Sequence, residues 1–343
     1  MPGILRQARD ARITEQQRNR IDAAFGSLAA QGARLRTQQA STMEFLMKRA
    51  LKHLVYLLAA VVLGFACLLG VAWMRSSAAL AEVHAPARAP QRPSTGDAAQ
   101  WARGRYLAMT RGCTDCHGEH LAGKEMVDEF PMGRLHGANL TLSAGRDRAV
   151  LEQAIRQGLR ADGRSLILMP TIDYAALSDS DTDALITYLQ SLAPIGTAVP
   201  PPAPGPLPRL LWLFGKFPLL SHDQVRGRTI SRGEPVPAID ARYGAYVAQV
   251  CQGCHNPGFS GGPMSGAPPE APQPANLTPH ADGLAGWSEA DFLTAMRTGR
   301  RPDGRVLDRF MPWTTFGRMS DLELRALWRF LQQLPPRPTG ATG

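Results

Sequence analysis

The chain contains 343 residues, which is enough for two domains of ordinary size and additional segments. Its formal net charge is +9, but residues 1–53 hold 10 Lys/Arg against 4 Asp/Glu, whereas the remainder holds 28 against 25. The basic excess therefore belongs to the N-terminal tail, which argues against a nucleic-acid partner for the rest of the chain.

Residues 1–53 are polar and rich in arginine, and we predict that they form a basic cytoplasmic tail. Residues 11–39 show a loose helical pattern, which favours a short cytoplasmic helix. A second interpretation remains open for residues 1–42, because Met43 and Met47 stand just before the membrane-targeting pattern and either could be the true translation start.

Residues 54–74 form an uncharged apolar run of 21 residues, long enough to cross a bilayer. Basic residues 48, 49 and 52 precede it, and only Arg75 follows closely, so the positive-inside bias predicts a cytoplasmic N-terminus. The remainder would lie in the periplasm, attached to the bacterial inner membrane. We expect a retained transmembrane anchor, although Ala79-Leu80-Ala81 could be a signal-peptidase site. Cys67, inside the run, is interpreted as a buried apolar residue.

Four further segments are predicted in chain order. Residues 75–98 read as a tether rich in proline and alanine, residues 99–193 as a first domain, residues 194–237 as a proline-rich extended linker, and residues 238–336 as a second domain. Within the linker, residues 207–220 are apolar but too short to span a membrane. Two interpretations stay open for them: packing against a domain, which we favour, or an interfacial or partner contact.

Each predicted domain carries one Cys-x-x-Cys-His motif, the signature of covalent haem attachment. The motif residues are Cys113, Cys116 and His117 in the first copy, and Cys251, Cys254 and His255 in the second. Helical spacing places both thiols and the imidazole of one motif on the same face, towards one porphyrin. A redox pair or half of a zinc site is the alternative, but neither explains the adjacent histidine. We therefore predict two covalently bound haem c groups, with no cysteine pair left for a structural disulfide.

The two motifs lie in an internal repeat that extends over both domains. The matched stretches are Gly104–Tyr106 with Gly244–Tyr246, Asn139–Thr141 with Asn276–Thr278, residues 154–164 with 295–305, and residues 184–189 with 326–331. Each copy predicts a helix before the haem motif, a middle helix ending at glycine, and a last helix starting near Ser178 or Ser320. Ser288 and Asp291 resemble a capping box. The predicted fold class is all-α, because no alternating strand pattern of useful length is present.

Met169 and Met311 are the candidate second axial ligands of the iron. They occupy equivalent positions in the repeat, and each precedes a proline that restricts the local backbone. A lone methionine is usually core filler, but the paired position favours ligation together with His117 and His255. The other methionines and His120, His136 and His280 lack counterparts in the other copy. With His/Met ligation both axial positions are filled, which predicts electron transfer rather than catalysis.

The order of these motifs resembles the class I cytochrome c family, over about residues 99–334 apart from the linker. Residues 276–279, 286–292 and 311–312 are especially similar to cytochrome subunits of membrane-bound alcohol and gluconate dehydrogenases. The resemblance implies thioether bonds from the four motif cysteines, proximal histidines at 117 and 255, and distal methionines at 169 and 311. Those subunits carry three haem motifs, whereas this chain has two.

We therefore expect a membrane-anchored dihaem cytochrome that carries electrons in a respiratory chain, between a dehydrogenase and a terminal oxidase or other acceptor. The alternatives are a haem subunit fixed in a dehydrogenase or haem-copper oxidase complex, and a dihaem peroxidase. The peroxidase requires a haem with a vacant or displaceable ligand, which the paired methionines argue against. No catalytic constellation rises above chance, so we do not expect an enzyme.

Overall fold

A computed structural model describes residues 15–86, 96–143, 145–230, 232–264 and 271–341, with side chains described from residue 18. Parts of the predicted tail and tether, part of the loop after the second haem motif, and the last two residues therefore lie outside the described residues. The chain divides into two compact units, residues 1–68 and residues 69–343.

The first unit contains most of helix α1, Glu15–Ala81. An 18-residue window of this helix has a mean hydropathy of 2.7, and none of it is buried by the rest of the protein. Large apolar side chains such as Val62 and Leu63 are exposed. Cys67 is exposed as well, so the prediction that it is buried is wrong: among the residues that the structure describes, none buries this side chain. The helix is long and apolar enough to be a candidate membrane span.

The second unit contains both copies of the repeat. The first copy consists of α2 (Ala98–Thr110), α3 (Cys113–His117), α4 (Arg148–Gln157), α5 (Thr171–Ala175) and α6 (Asp179–Ser191). The second consists of α8 (Ala241–Val247), α9 (Gln252–His255), α10 (Glu289–Thr298), α11 (Trp313–Phe316) and α12 (Asp321–Leu331), with a 3₁₀ turn, Ala248–Cys251, between α8 and α9. The same helices therefore recur in the same order.

The first and last helices of each copy pack at a glycine. A Cβ at Gly104 would overlap the carbonyl of Ala184 and come within 2.8 Å of the Tyr188 side chain. A Cβ at Gly244 would overlap the carbonyl of Ala326 in the same way. The glycines that recur in the repeat thus allow α2 to approach α6, and α8 to approach α12, at backbone contact distance.

The predicted helix boundaries are confirmed. Ser178 and Ser320 cap α6 and α12, and Ser288 with Asp291 forms the capping box of α10. The middle helices α4 and α10 end at Gly158 and Gly299, both in the left-handed conformation. These signals are local in sequence, since each cap satisfies backbone groups within a few residues.

The all-α prediction is wrong in one respect, because the second unit also contains a small antiparallel sheet. It consists of β1 (Lys124–Glu129), β2 (Gly133–Gly137) and β3 (Ala203–Pro204), in the order β1-β2-β3. Gly133 pairs with Pro204, and a Cβ at Gly133 would overlap the backbone there. The strands are short and mostly polar, and β3 comes from the linker, so no periodic pattern in the sequence marks them.

The linker is likewise not extended throughout. It contains β3, helix α7 (Pro206–Leu213) and a 3₁₀ turn, His222–Gln224. Leu219 and Leu220 are buried, and Leu220 forms a β-bridge with Ile167 of the first copy. The favoured interpretation of residues 207–220, that they pack against a domain, is confirmed for the end of this segment.

Two hydrophobic clusters lie at the centres of the two copies. Cys113 and Met169 pack at the margin of the first cluster, which includes Leu107, Leu151 and Ile186. Cys251 and Met311 pack at the margin of the second, which includes Val247, Phe292 and Leu324. In each copy, the first motif cysteine and the paired methionine therefore adjoin the same core.

Candidate haem sites

Each haem motif forms a short helical segment at the end of the first helix of its copy. In the first copy, α3 lies between Gly112 and Gly118, whose φ angles are 85° and 83°. A Cβ on Gly118 would lie 3.0 Å from the Gly123 carbonyl oxygen, so the positive φ and the close approach both favour glycine. The helical turn places Cys113 and Cys116 three residues apart on one face, as a porphyrin with two attachment points requires. None of the four motif cysteines forms a disulfide.

The two motif histidines are held in the same way. His117 Nδ1 lies 2.7 Å from the carbonyl oxygen of Ala138, and His255 Nδ1 lies 2.7 Å from that of Ala275. A carbonyl only accepts hydrogen bonds, so Nδ1 carries the proton and Nε2 keeps its lone pair. Burial lowers the pKa of both imidazoles, which keeps them neutral at pH 7. A neutral imidazole with a fixed Nδ1–H is the form that binds a metal through Nε2.

An asparagine next to each of these carbonyls fixes the loop that presents it. Asn139 Oδ1 accepts hydrogen bonds from the backbone N–H and the hydroxyl of Thr141, at 3.0 and 2.6 Å. Asn276 makes the same two contacts with Thr278, at 2.9 and 2.8 Å. The asparagine of each Asn-Leu-Thr repeat thus fixes the loop whose carbonyl binds the histidine. Sequence reasoning noted the repeat but assigned it no role.

The motif cysteines are buried thiols. Burial raises the pKa of Cys113 and of Cys251 to about 12, so both are protonated at neutral pH. A reactive redox cysteine requires a thiolate of lowered pKa instead. Among the residues that the structure describes, no group of three or more His, Cys, Asp and Glu side chains forms a metal-binding cluster. These observations fit haem attachment better than the redox-pair and zinc alternatives.

Met169 and Met311 have matching backbone environments. Each precedes the proline that caps a short helix, with φ and ψ of −77° and 68° at Pro170 and of −77° and 56° at Pro312. The turn upstream is also the same, because Asp162 and Asp303 each accept a hydrogen bond from the backbone two residues later. The structure therefore presents both methionines at the margin of a core on equivalent loops.

The unpaired candidates lie in other environments. His120 is exposed, His136 Nε2 contacts the carbonyl of Pro200, and His280 Nδ1 accepts a hydrogen bond from the backbone of Asp282. Met319 is a core residue with 1% exposure, whereas Met126 is 39% exposed. None of these positions is repeated in the other copy.

The two copies meet across a pseudo-twofold interface that the sequence did not reveal. Tyr246 of the second copy donates to Asp181 and accepts from the backbone N–H of Ser178, at the start of α6. Tyr106 of the first copy makes the equivalent contacts with Glu323 and with the backbone N–H of Ser320, at the start of α12. Each tyrosine follows the packing glycine of its copy by two residues. The same repeat position therefore contacts the second copy from the first, and the first copy from the second.

The same interface brings each haem motif next to the segment around the paired methionine of the other copy. We call this segment, from the Asp-Gly-Arg turn to the short helix after the methionine, the methionine loop. Thr315, four residues after Met311, donates to Asp115 Oδ1 inside the first motif at 2.7 Å. Asp173, four residues after Met169, faces Gly253 inside the second motif, where a Cβ would lie 3.0 Å from its Oδ2. The two candidate sites are therefore adjacent rather than at opposite ends of the unit.

These residues fit a covalently held porphyrin in each copy. The paired thiols would hold it, the neutral imidazole would ligate the iron from one side, and the methionine at the core margin is the candidate for the other. The donor set would then be nitrogen and thioether sulfur, the combination that haem iron accepts in electron-transfer proteins.

Comparison with known proteins agrees with this reading of the first copy. Residues 101–193 match the family model described as Cytochrome c. The chain is 28% identical to the cytochrome c subunit of alcohol dehydrogenase (quinone) from Komagataeibacter europaeus, over 71% of this chain and 57% of that protein. It is 29% identical to the fructose dehydrogenase cytochrome subunit of Gluconobacter japonicus, over 62% and 48%.

A third relative is the gluconate 2-dehydrogenase cytochrome c subunit of Pantoea cypripedii, 27% identical over 70% of this chain and 60% of that protein. The chain spans about half the length of the curated relatives it matches. The resemblance to cytochrome c and to dehydrogenase cytochrome subunits is confirmed.

Proposed function

Because residues 101–193 carry a cytochrome c domain and the relatives are cytochrome subunits of dehydrogenases, we propose that the protein is a membrane-anchored dihaem electron carrier. It accepts electrons from a dehydrogenase and passes them to a terminal acceptor of the respiratory chain, such as an oxidase. Helix α1 anchors it in the inner membrane, and the basic residues before the apolar run keep the N-terminus in the cytoplasm. Both haem-binding copies then lie in the periplasm.

The observation that carries this proposal is that His117 and His255 make the same hydrogen bond to a backbone carbonyl. Both histidines are neutral, and both have Nδ1 bound to a backbone carbonyl at 2.7 Å. The family match covers the first copy, and the second haem is inferred from this shared geometry and from the repeat. A haem c ligated by His and Met exchanges one electron between its ferric and ferrous states at a raised potential.

The protein residues give the two sites a fixed relative position. Tyr106 and Tyr246 join the last helix of each copy to the first helix of the other, and Thr315 bonds to Asp115 inside the first motif. Electron transfer between fixed sites requires no movement of the chain. This arrangement therefore supports a relay through the protein from one haem to the other.

The two methionine loops differ in what covers them. In the first copy, the linker lies on residues 166–168: Leu168 N donates to Leu219 O, and Ser221 N donates to Leu166 O. The corresponding loop of the second copy, residues 306–310, leaves Val306 60% exposed and Phe310 47% exposed. Arg309 within this loop and Arg305 just before it are also exposed. We place the docking site of a redox partner at this open loop of the second copy, with an acidic rim on the partner's side.

Haem stoichiometry tests the dihaem proposal. The full-length holoprotein is expected to contain two covalently bound haems per chain by pyridine haemochrome assay. Cys116→Ser and Cys254→Ser are each expected to weaken attachment at one site only, and Cys67→Ser, the matched control, leaves the count at two. A wild-type ratio of one haem per chain would refute the second site.

Mild detergent solubilisation tests how the donor is engaged. A carrier that diffuses between partners is expected to elute without a stoichiometric dehydrogenase subunit and to be reduced when membranes receive a dehydrogenase substrate. A stable complex of fixed stoichiometry would instead show a permanently bound subunit, as the names of the relatives describe for those proteins.

A further inference from the structure

Helix α7 of the linker is fixed against the C-terminal end of α1. Arg209, 8% exposed, donates from Nη1 to the hydroxyls of Ser76 and Ser77 at 2.8 and 3.0 Å. Its guanidinium carbon also lies 4.0 Å from the centroid of the Trp73 ring. These residues all belong to the second compact unit. The contacts hold α7 beside residues 73–77.

Residues 73–77 mark the end of the apolar run. The run closes at Met74, and the next residues are Arg75, Ser76 and Ser77. Ala72 and Ser76 are buried, whereas Trp73 and Met74 are 51% and 65% exposed. In a membrane-anchored chain, this boundary lies where hydrocarbon gives way to headgroups. Helix α7 therefore lies at the depth of the bilayer surface.

One side of α7, together with Phe214 directly after it, forms an apolar stripe. Leu207, Leu210, Leu211 and Phe214 follow the i, i+3, i+4, i+7 spacing that places side chains on one face of a helix. Arg209 is buried on another face, against α1. The three leucines are half-buried and Phe214 is 58% exposed, so the second unit leaves this stripe partly uncovered.

The surroundings of the stripe match a lipid surface better than a second protein. Lys216 and Arg75 are exposed nearby and can contact anionic headgroups. Trp73 contacts Arg209 of α7, and Trp212 lies in α7 itself; tryptophan is enriched at membrane–water interfaces. The Arg209–Trp73 contact also holds α7, which carries the stripe, beside the apolar end of α1.

We propose that α7 is an interfacial helix whose stripe of Leu207, Leu210, Leu211 and Phe214 inserts into the headgroup–acyl boundary of the bilayer. This inference rests on the proposed membrane anchor and adds a second, independent contact with the lipid. Residues 69–81 of α1 and the interfacial helix both belong to the second unit, which would then contact the bilayer at two places. The interfacial helix therefore sets the orientation of the haem-binding copies relative to the membrane.

Spin labelling of the full-length holoprotein tests this proposal. The four motif cysteines are engaged by haem, so a Cys67→Ala background has no other native thiol. Single variants Phe214→Cys, Phe310→Cys and Val61→Cys are labelled with a nitroxide in vesicles of phosphatidylethanolamine and phosphatidylglycerol. Phe214 and Phe310 are matched, because both are exposed phenylalanines outside the cores. Collision with oxygen, which concentrates in lipid, is compared with collision with a water-soluble nickel chelate.

The label at position 214 is expected to favour oxygen, as the label at position 61 does, and the label at position 310 to favour the nickel chelate. A label at position 214 that favours nickel, while position 61 favours oxygen, would overturn the interfacial helix and leave the anchor intact. Shielding of position 214 from both reagents would show that protein covers the stripe and would also overturn it. Nickel preference at position 61 would refute the anchor itself.

Discussion

The hydroxyl of Tyr246 donates to Asp181 Oδ2 at 2.6 Å and accepts from the backbone N–H of Ser178, so the second copy of the repeat contacts the start of the last helix of the first copy. Tyr106 of the first copy makes the equivalent contact with Glu323 of the second copy. Because the two tyrosines are equivalent in the repeat, the interface is built twice from one set of positions.

Removing either hydroxyl weakens the interface. Tyr106→Phe and Tyr246→Phe each leave a carboxylate without one donor and a helix N-terminus without one acceptor, which costs about 1–3 kcal/mol per site. Urea unfolding of the holoprotein, followed by haem absorbance, should show the lower midpoint. Tyr188→Phe is the control, because Tyr188 packs in the first core and its hydroxyl bonds to no residue across the interface in the part of the chain that the structure describes. Equal losses in all three variants would contradict the assigned role.

Glu323 is the most buried charge at the interface. It is 1% exposed and pairs with Arg111, 3% exposed, at 2.9 Å. Glu323→Ala leaves that guanidinium buried without a counter-charge, which is expected to cost about 3–5 kcal/mol. Arg305→Ala breaks the exposed pair with Asp303 and should change the free energy of unfolding by less than about 1 kcal/mol. A Glu323→Ala variant as stable as Arg305→Ala would show that the buried pair does not hold the copies together.

Asp181 links the interface to pH. Burial alone raises the pKa of this carboxyl, but the hydrogen bonds and charge of Arg103 outweigh it and bring the pKa below its ordinary value of 3.8. As the pH falls, the Asp181 carboxyl is therefore protonated in the unfolded chain before it is protonated in the folded protein. The contribution of Asp181 to stability is complete above the ordinary pKa of 3.8 and is lost as the pH falls through the folded pKa. Asp181→Asn should flatten the acid limb of the stability curve below about pH 5.

Asp128→Asn, on exposed strand β1, is the control for this pH dependence. Parallel acid limbs for the wild type and for Asp181→Asn would show that Asp181 does not carry the effect.

The packing glycines are expected to be intolerant of a methyl group. Gly104→Ala and Gly244→Ala both place a Cβ into a backbone carbonyl of the facing helix, and overpacking of this kind costs about 1–3 kcal/mol. Thermal unfolding of the holoprotein measures the loss. Gly286→Ala has open space around its new Cβ and should leave the midpoint nearly unchanged. Unchanged midpoints at both packing glycines would contradict the close helix contacts.

Features that depend on neighbouring residues were predictable from the sequence, and features that depend on distant ones were not. The caps at Ser178, Ser288 and Ser320 satisfy backbone groups three residues away, so their residue types identify them. Strand β3 pairs with β2 across about 70 residues through backbone atoms alone. The Tyr106–Glu323 contact spans 217 residues. Residue type cannot specify such partners, although the repeat matched the two tyrosine positions with each other.

Redox titration of the full-length holoprotein distinguishes whether Met169 and Met311 are the distal ligands of two haems, as we propose. Met169→Leu and Met311→Leu, made singly, should each lower one of two reduction potentials and open one reduced haem to CO, since thioether ligation raises the potential and fills the sixth position. Met126→Leu, at an exposed position, should change neither. Two unaltered potentials in both ligand variants, or CO binding to the reduced wild type, would contradict the account.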